Sequence, residues 1–260
     1  MGLTVFAIGC HPDDIEFMMA GTLILLRDAG CSVHMLNLAN GDCGSLSGSR
    51  RKMARIRRGE SLAAARLLGA TLHRSLARDL EVFYRASLIR RVLAMVREVA
   101  PDIVLVPSLE DYMEDHMNTA RIAVTATFAR GVASFRSIPR RKAILNDVAV
   151  YHAQPHGLHD SMGNRVRASL YVDVGPVLAR KAKMLACHES QRSWLSESQG
   201  MDSYTDSMMA MARDMGKESG CFEHAEGWRR HNSLGFSPNG LDPLPGILGE
   251  RASPRRADNS

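Results

Sequence analysis

The sequence predicts a single Rossmann-like α/β domain in which a mostly parallel sheet is flanked by helices. Two observations indicate this class. Apolar runs rich in branched residues alternate with helical patterns in β-α-β-α order. The run at 102–108 is short, continuous and apolar, which is typical of a parallel strand buried on both faces. A chain of 260 residues, 45% of them hydrophobic, is long enough to form one such core.

The predicted elements follow one another in the order that such a sheet requires. Each strand pattern is a mainly apolar run of seven to nine residues: 3–9, 31–39, 102–108, 147–153 and 168–174. Each helix pattern has apolar residues at helical spacing: 16–30, 50–70, 88–100, 118–131, 177–188 and the methionine-rich segment 201–231. We expect one domain over residues 1–245 and a disordered tail over 246–260, where small and charged residues show no periodicity.

Composition limits the cellular setting. The sequence shows neither a leader pattern nor an uninterrupted apolar run of about 18 residues, so we expect a soluble, cytoplasmic protein without a membrane span. The five cysteines lack CxxC spacing, which favours reduced thiols over a disulfide framework or a cysteine zinc site.

The net charge of +5 comes partly from a basic run at 50–58. Alanines and leucines at helical spacing follow this run, so its main interpretation is the solvated start of an amphipathic helix. Nucleic-acid binding is disfavoured because the run contains no aromatic residue on which bases would stack. A third interpretation remains open, in which one or two of these arginines hold an anionic or polar substrate.

Polar side chains follow two of the predicted strands. His11, Pro12, Asp13 and Asp14 come directly after the first strand, and an acidic stretch ending in His116 follows the strand at 102–108. Loops at the carboxyl ends of parallel strands meet at one edge of a sheet. Two histidines and one carboxylate with an open fourth position form a catalytic zinc site, so we expect His11, Asp14 and His116 to bind one metal ion. Asp13, between two of these ligands, is the candidate general base.

The simpler interpretation of this first loop is a helix N-terminus, where proline and aspartates are common. It accounts for Asp13 and Asp14. It accounts neither for His11 nor for the second acidic cluster with its histidine, and this favours the metal site.

Four motifs in order resemble the LmbE-like, or PIG-L, superfamily of zinc-dependent N-deacetylases. The stretch "GCHPDDIEF" is similar to the family's "AHPDDE" signature, and "LNLANGDCGS", "RRGESLAAARLLGA" and "KAKMLACHESQ" are similar to three further family segments. The resemblance spans residues 3–195. It implies a hydrolase that removes an N-acetyl or other N-acyl group from an amino sugar such as N-acetylglucosamine, or from its glycoconjugate. It also implies one Zn²⁺ per chain, a small-molecule substrate, no nucleic-acid partner, and a tendency to form homo-oligomers.

Carried over residue by residue, the resemblance makes His11, Asp14 and His116 the zinc ligands and Asp13 the base, as the coordination argument already suggests. It makes Arg57 and Asp79 substrate-binding residues, although a solvated helix face and a loop cap are the simpler interpretations. It also suggests that Asp115 orients a ligand histidine.

One position departs from the family pattern. The second motif usually reads "HPDH", with a first histidine that helps to stabilise the oxyanion, whereas this chain has Met113 there. A thioether cannot donate a hydrogen bond. The candidate replacements are Tyr112 and a histidine cluster at the end of the fourth predicted strand and just after it, namely His152, His156 and His159. Solvated side chains or a second metal site are the alternatives for this cluster. His188 resembles a family position too, but a helix cap is its simpler interpretation.

Two other functions remain as alternatives to the hydrolase. Two histidines and a carboxylate also form the facial triad of mononuclear iron oxygenases. A carbohydrate-binding or regulatory protein that has lost turnover is the other alternative, and Met113 is the feature that favours it. The methionine-rich stretch at 201–215 could be an interface, a lid or ordinary core. A dinucleotide-binding function is disfavoured because GxGxxG is absent after the first strand.

Overall fold

A computed structural model describes residues 2–44, 49–191, 204–238 and 240–255. Eight strands form one sheet: β1 (Thr4–Gly9), β2 (Ser32–Asn37), β3 (Thr71–Leu72), β4 (Ile103–Val106), β5 (Ala149–Ala153), β6 (Leu170–Asp173), β7 (Ala225–Arg230) and β8 (Ala252–Pro254). The α-helices of the described residues are α1 (Asp14–Met18), α2 (Ala20–Asp28), α3 (Arg50–Leu68), α4 (Ala86–Val99), α5 (Glu114–Phe128), α6 (Leu178–Leu185), α7 (Tyr204–Ser219) and α8 (Pro243–Leu248).

The predicted sheet class is confirmed. The strand order is β3-β2-β1-β4-β5-β7-β6-β8, and the first five strands in this order are parallel to one another. β7 runs antiparallel to both β5 and β6, and β8 runs antiparallel to β6. β1 therefore lies near the centre of the parallel part with β4 beside it, which brings the loops after these two strands to the same edge.

Helices cover both faces of the sheet. Alternate residues of β1 explain how: Val5 and Ala7 belong to a core cluster shared with α2, α3, α6, α7 and α8, whereas Phe6 and Ile8 belong to a cluster shared with α4 and α5. Because β1 is buried on both faces, its sequence is continuously apolar rather than alternating. None of the helices in the described part of the chain has the length and apolar character needed to cross a membrane.

The helix predicted over 201–231 is wrong in its last part. α7 ends at Ser219, and residues Ala225–Arg230 form β7 between β5 and β6. The sequence does not predict this strand because its charged residues interrupt the apolar pattern that marks a buried strand. One of them, Glu226, is buried, where its carboxylate accepts hydrogen bonds from Lys181 Nζ at 2.6 Å and from the Gly21 N–H at 2.8 Å.

The buried methionines of the methionine-rich stretch belong to the ordinary core. Met208 and Met215 of α7 are buried, and residues 201–203 lie outside the described residues. The tail predicted over 246–260 is corrected as far as residue 255. Residues Ala252–Pro254 pair with β6 and form an edge strand of three residues. An edge strand has a backbone partner on one side only, and these residues are not buried, so the sequence shows no apolar run here. Residues 256–260 lie outside the described residues, and the single-domain boundary stays a prediction.

Candidate metal centre and active site

The candidate ligands lie at the carboxyl edge of the sheet. His11 and Asp14 follow β1 directly, and His116 lies in the first turn of α5, just beyond the loop after β4. The three side chains are almost completely buried. Two loops about a hundred residues apart in sequence thus bring their polar groups together, as the parallel topology requires.

The three candidate ligand atoms form a compact triangle. His11 Nδ1 and His116 Nε2 are 3.3 Å apart, His116 Nε2 and Asp14 Oδ2 are 3.5 Å apart, and His11 Nδ1 and Asp14 Oδ2 are 3.9 Å apart. Ligands at the usual zinc distances occupy corners of a tetrahedron whose edges are about 3.3 Å long. The triangle therefore has nearly the size of one face of a zinc coordination tetrahedron, and its donors are of the type that zinc prefers.

The backbone of the first loop orients these atoms. Asp13 adopts a left-handed conformation with φ of 112°, which turns the chain sharply between β1 and α1. Asp14 Oδ2 accepts hydrogen bonds from the backbone N–H groups of Cys10 and His11 at 2.9 and 2.8 Å. Gly9 is required just before the turn, because a Cβ atom there would lie 2.8 Å from the Ile15 side chain.

Electrostatic effects keep Asp14 ionised. Burial raises the pKa of Asp14, but the imidazoles of His116 and His11 and the two backbone hydrogen bonds lower it by more than burial raises it. The pKa of Asp14 therefore falls below its usual value. A charged carboxylate is the form that binds a cation.

Each candidate ligand histidine has a carboxylate at its other ring nitrogen. Asp115 Oδ2 lies 3.2 Å from His11 Nε2 and accepts the Leu80 N–H at 2.7 Å. Asp111 Oδ1 lies 3.0 Å from His116 Nδ1 and is fully buried. Carboxylates in this position fix the orientation of metal-binding imidazoles and raise their basicity. The sequence singled out Asp115 but missed Asp111, whose only signal is its place in the same acidic loop.

Asp14 and Asp111 also set the charge of the histidine on α5. Burial alone lowers the pKa of His116, but Asp14 and Asp111 outweigh it and raise this pKa to about 9. The site is therefore built to hold positive charge at this imidazole, and a metal cation that binds there replaces a proton.

Asp13 and Arg57 form a buried ion pair beside the ligand triangle. Arg57 Nη2 lies 2.8 Å from Asp13 Oδ2 and also donates to the Pro12 carbonyl. Burial raises the pKa of Asp13, and Arg57 offsets part of this effect. A carboxylate whose pKa is raised toward neutrality is suited to accepting a proton from water and passing it on.

A cavity of about 400 Å³ opens onto these groups. Its described lining combines the polar site with apolar and aromatic side chains: His11, Asp13, Asp14, Phe17, Met18, Gly44, Arg57, Tyr112, Met113, His116, His156, Gln191 and Tyr204. Gly44 lets the loop after β2 approach closely, because a Cβ atom there would lie 2.8 Å from Arg57 Nη1. The sequence missed Gln191 and Tyr204 as lining residues. Gln191 belongs to the "HESQ" motif, whereas Tyr204 gives no signal beyond its aromatic ring.

Two of the four candidates for the hydrogen-bond donor that Met113 cannot supply line the cavity, and two do not. His156 and Tyr112 line the cavity together with Met113. The His156 ring lies between Phe17 and Tyr112, at centroid distances of 4.8 and 6.0 Å. Burial lowers the pKa of His156, which keeps its imidazole neutral with one N–H to donate.

The other two histidines of that cluster do not line the cavity. His152 lies within β5, where Nδ1 is 2.9 Å from the Pro107 carbonyl and Nε2 is 2.9 Å from His231 Nδ1. His159 is exposed, and its Nδ1 contacts the Gly157 carbonyl at 2.6 Å. The irregular spacing of the cluster therefore reflects three different environments rather than a second metal site.

Asp79 is not among the residues that line the cavity, and its assignment as a substrate-binding residue stays a prediction. Its two oxygens accept the N–H groups of Gly41 and Cys43 at 2.7 and 2.9 Å. The nearby Asp42 is bound by Arg50 at 2.9 Å. Asp79 and Asp42 therefore hold the loop that covers Arg57, and their carboxylates already have hydrogen-bond or ion-pair partners.

The environment of His188 is not that of an exposed helix cap. Its side chain is buried, and its Nε2 lies 3.4 Å from Glu16 Oε2. Burial lowers the pKa of His188, but Glu16 outweighs it, and the pKa is raised above its usual value. The pair lies behind Asp13, whose charge contributes to the same shift.

The fold and this ligand set define an α/β protein with a candidate mononuclear metal site at the carboxyl edge of its sheet. Residues 6–127, which carry all three candidate ligands, match the family described as "PIG-L: GlcNAc-PI de-N-acetylase". This match covers just under half of the chain and includes the first three of the four motifs that resemble the LmbE-like, or PIG-L, superfamily.

Individual relatives are similar over most of the chain. Diacetylchitobiose deacetylase of Thermococcus kodakarensis is 26% identical over 193 residues, covering 72% of this chain and 69% of the relative. A 4-oxalmesaconate hydratase of Pseudomonas putida is 24% identical over 196 residues, covering 72% and 74%. The structure of the N,N'-diacetylchitobiose deacetylase of Pyrococcus horikoshii with an inhibitor has a TM-score of 0.75 at 24% identity and covers 90% of this chain and 86% of that chain.

Proposed function

We propose that this chain is a metal-dependent N-deacetylase that hydrolyses the N-acetyl group of an amino sugar or its glycoconjugate, with one Zn²⁺ held by His11, Asp14 and His116. The observation that carries the proposal is the compact triangle of ligand atoms with a buried carboxylate, Asp13, beside it. Two relatives named as diacetylchitobiose deacetylases support the substrate class.

The reaction needs a water molecule, a proton acceptor and a stabilised oxyanion. When bound, the metal acts as a Lewis acid on the attacking water and on the amide carbonyl. Asp13 accepts the proton that the water loses as its oxygen bonds to the carbonyl carbon. The same residue delivers this proton to the amide nitrogen as the C–N bond breaks, so that acetate and a free amine leave.

Five further side chains of the cavity support these steps. Arg57 holds Asp13 in place through its contact at 2.8 Å. His156 and Tyr112 are the N–H and O–H donors that we assign to the oxyanion, since Met113 cannot donate. The rings of Phe17 and Tyr204 give the cavity the apolar surface against which the faces of a sugar ring pack.

Addition of water to a carbon–carbon double bond is the second candidate. The hydratase of Pseudomonas putida is similar over the same share of this chain as the deacetylase of Thermococcus kodakarensis, and this favours keeping it. Both reactions begin with water activated beside a carboxylate, so the ligand triangle alone does not separate them.

A substrate panel with zinc-loaded protein separates these functions. We expect acetate and free amine to form in equal amounts from N-acetylglucosamine or its β-1,4-linked oligomers, without oxygen consumption. Loss of ultraviolet absorbance of an unsaturated dicarboxylate, without release of acetate from any amide, would favour the hydratase. Metal-dependent oxygen uptake would favour an iron oxygenase, and sugar binding without any product would favour a binding protein.

A further inference from the structure

A second cavity of about 360 Å³ lies on the other side of Pro12 from the catalytic cavity. Four arginines line it: Arg51, Arg55 and Arg58 from α3, and Arg74 from the segment after β3. Pro12 lies between the two cavities, because it lines the second one while its carbonyl accepts a hydrogen bond from Arg57, which lines the first. The basic run of the sequence is therefore divided between two sites.

The four arginines carry unbalanced positive charge. Other arginines nearby are paired: Arg50 contacts Asp42 at 2.9 Å, and Arg57 contacts Asp13 at 2.8 Å. Within residues 2–44, 49–191, 204–238 and 240–255, no ion pair joins Arg51, Arg55, Arg58 or Arg74 to a carboxylate, and the described lining of the cavity contains neither aspartate nor glutamate. A concave surface with four cations and no anion attracts negatively charged ligands.

The inner wall of the cavity is polar and buried. Asn37, at the end of β2, is 2% exposed and donates from Nδ2 to Ser61 Oγ at 3.1 Å. Its Oδ1 has no hydrogen-bond partner among the described residues. Because buried polar atoms normally have partners, this oxygen is suited to accept a hydrogen bond from a ligand hydroxyl.

The position and size of the cavity also fit a small ligand. It lies beyond the carboxyl ends of β2 and β3, where open α/β sheets bind their ligands, and its volume falls within the range of about 300–1,000 Å³ for small-molecule sites. The described lining contains no phenylalanine, tyrosine or tryptophan on which a nucleobase would stack. A small anion therefore fits the cavity better than a nucleic-acid strand.

We propose that this cavity is a second ligand site, which binds the phosphate group of a small hydroxyl-bearing phosphate ester. Guanidinium groups bind phosphate oxygens through paired N–H donors, and the free Asn37 oxygen accepts from a hydroxyl of the same ligand. The phosphate belongs either to a phosphorylated substrate that extends past Pro12 or to a separate ligand.

The test measures binding of glucose 6-phosphate to the metal-loaded full chain by calorimetry in 0.15 M NaCl, with glucose as the uncharged control. We expect saturable binding of the phosphate ester alone. The double variant Arg55→Gln/Arg58→Gln should weaken it about tenfold or more. The matched double variant Lys52→Gln/Arg66→Gln removes two charges from exposed positions of the same helix that do not line the cavity, and it should change binding less than about twofold.

Turnover then identifies the source of the phosphate. Loss of kcat/KM in the Arg55/Arg58 variant for N-acetylglucosamine 6-phosphate but not for N-acetylglucosamine would support a phosphorylated substrate, and loss of binding without this selectivity would support a separate ligand. Three results would overturn the proposal: absence of saturable binding, equal weakening in both double variants, or preference for a single-stranded oligonucleotide that depends on the same arginines. The binding measurement needs no turnover, so it stands even if the deacetylase proposal fails.

Discussion

The buried carboxylate of Asp111 offers a sharp test of the metal centre because it contacts a candidate ligand but is not itself one of the residues that line the cavity. Its Oδ1 lies 3.0 Å from His116 Nδ1 and also accepts the Met113 N–H at 3.0 Å. The substitution Asp111→Asn preserves size and leaves an oxygen for the Met113 N–H, but it removes the negative charge behind the imidazole.

The expected effect follows from this contact. Loss of a carboxylate that orients a metal-binding histidine typically lowers metal affinity by about 10- to 100-fold. This corresponds to about 1.4–2.7 kcal/mol of binding free energy. Competition with a chromophoric zinc chelator at a fixed neutral pH measures the dissociation constants of the wild-type protein and the variant.

The neighbouring residue supplies the control. Glu110→Gln makes the same change of charge one position earlier, where the side chain is exposed and contacts Arg229 at 2.7 Å. It should leave zinc affinity within about twofold of wild type. If Asp111→Asn binds zinc as tightly as the wild-type protein, or if Glu110→Gln loses as much affinity, the assigned role of Asp111 is wrong.

Three further predictions concern chemistry and stability. Asp13→Asn should keep its bound zinc but lower turnover by about 10²- to 10⁴-fold, and undiminished acetate release would remove Asp13 as the base. His156→Phe should lower kcat by about 10²-fold with little change in KM, whereas the exposed His159→Phe should not, and equal effects would contradict the oxyanion assignment. Burial lowers the pKa of His152 from 6.5 to about 4, so the unfolded chain binds the proton first as the pH falls. His152 thus contributes stability above pH 6.5 that is lost toward pH 4, by up to roughly 3 kcal/mol. Urea unfolding at pH 7.5 and 4.5 should show a smaller acid loss in His152→Asn, and an unchanged loss would refute this reasoning.

The parallel half of the fold is readable from the sequence because its strands are buried on both faces. Such strands are continuous apolar runs, as in β1 and β4, and helices with clear periodicity separate them. β7 and β8 escape detection for different reasons. β7 contains Glu226, whose charge is compensated by Lys181 and by backbone N–H groups from distant segments, and β8 is a three-residue edge strand.

The candidate site likewise contains residues that the sequence predicts and residues whose roles it does not predict. His11, Asp14 and His116 are predictable because strand ends in a parallel sheet share one edge, and the structure brings their side-chain atoms to 3.3, 3.5 and 3.9 Å from one another. The roles of Asp79 and Asp111 depend instead on which neighbour each carboxylate faces. That orientation is set by loop geometry, which leaves no periodic pattern in the sequence.

The dependence of turnover on metal content is the decisive measurement for the proposed hydrolase. Metal-stripped protein is titrated with Zn²⁺ while acetate release from the best N-acetylated amino sugar and the bound metal per chain are recorded together. We expect no turnover without metal and a linear rise that saturates at one zinc per chain. Full acetate release from metal-free protein, or occupancy of the His11, Asp14 and His116 site without any acetate release from the whole panel, would contradict the proposal.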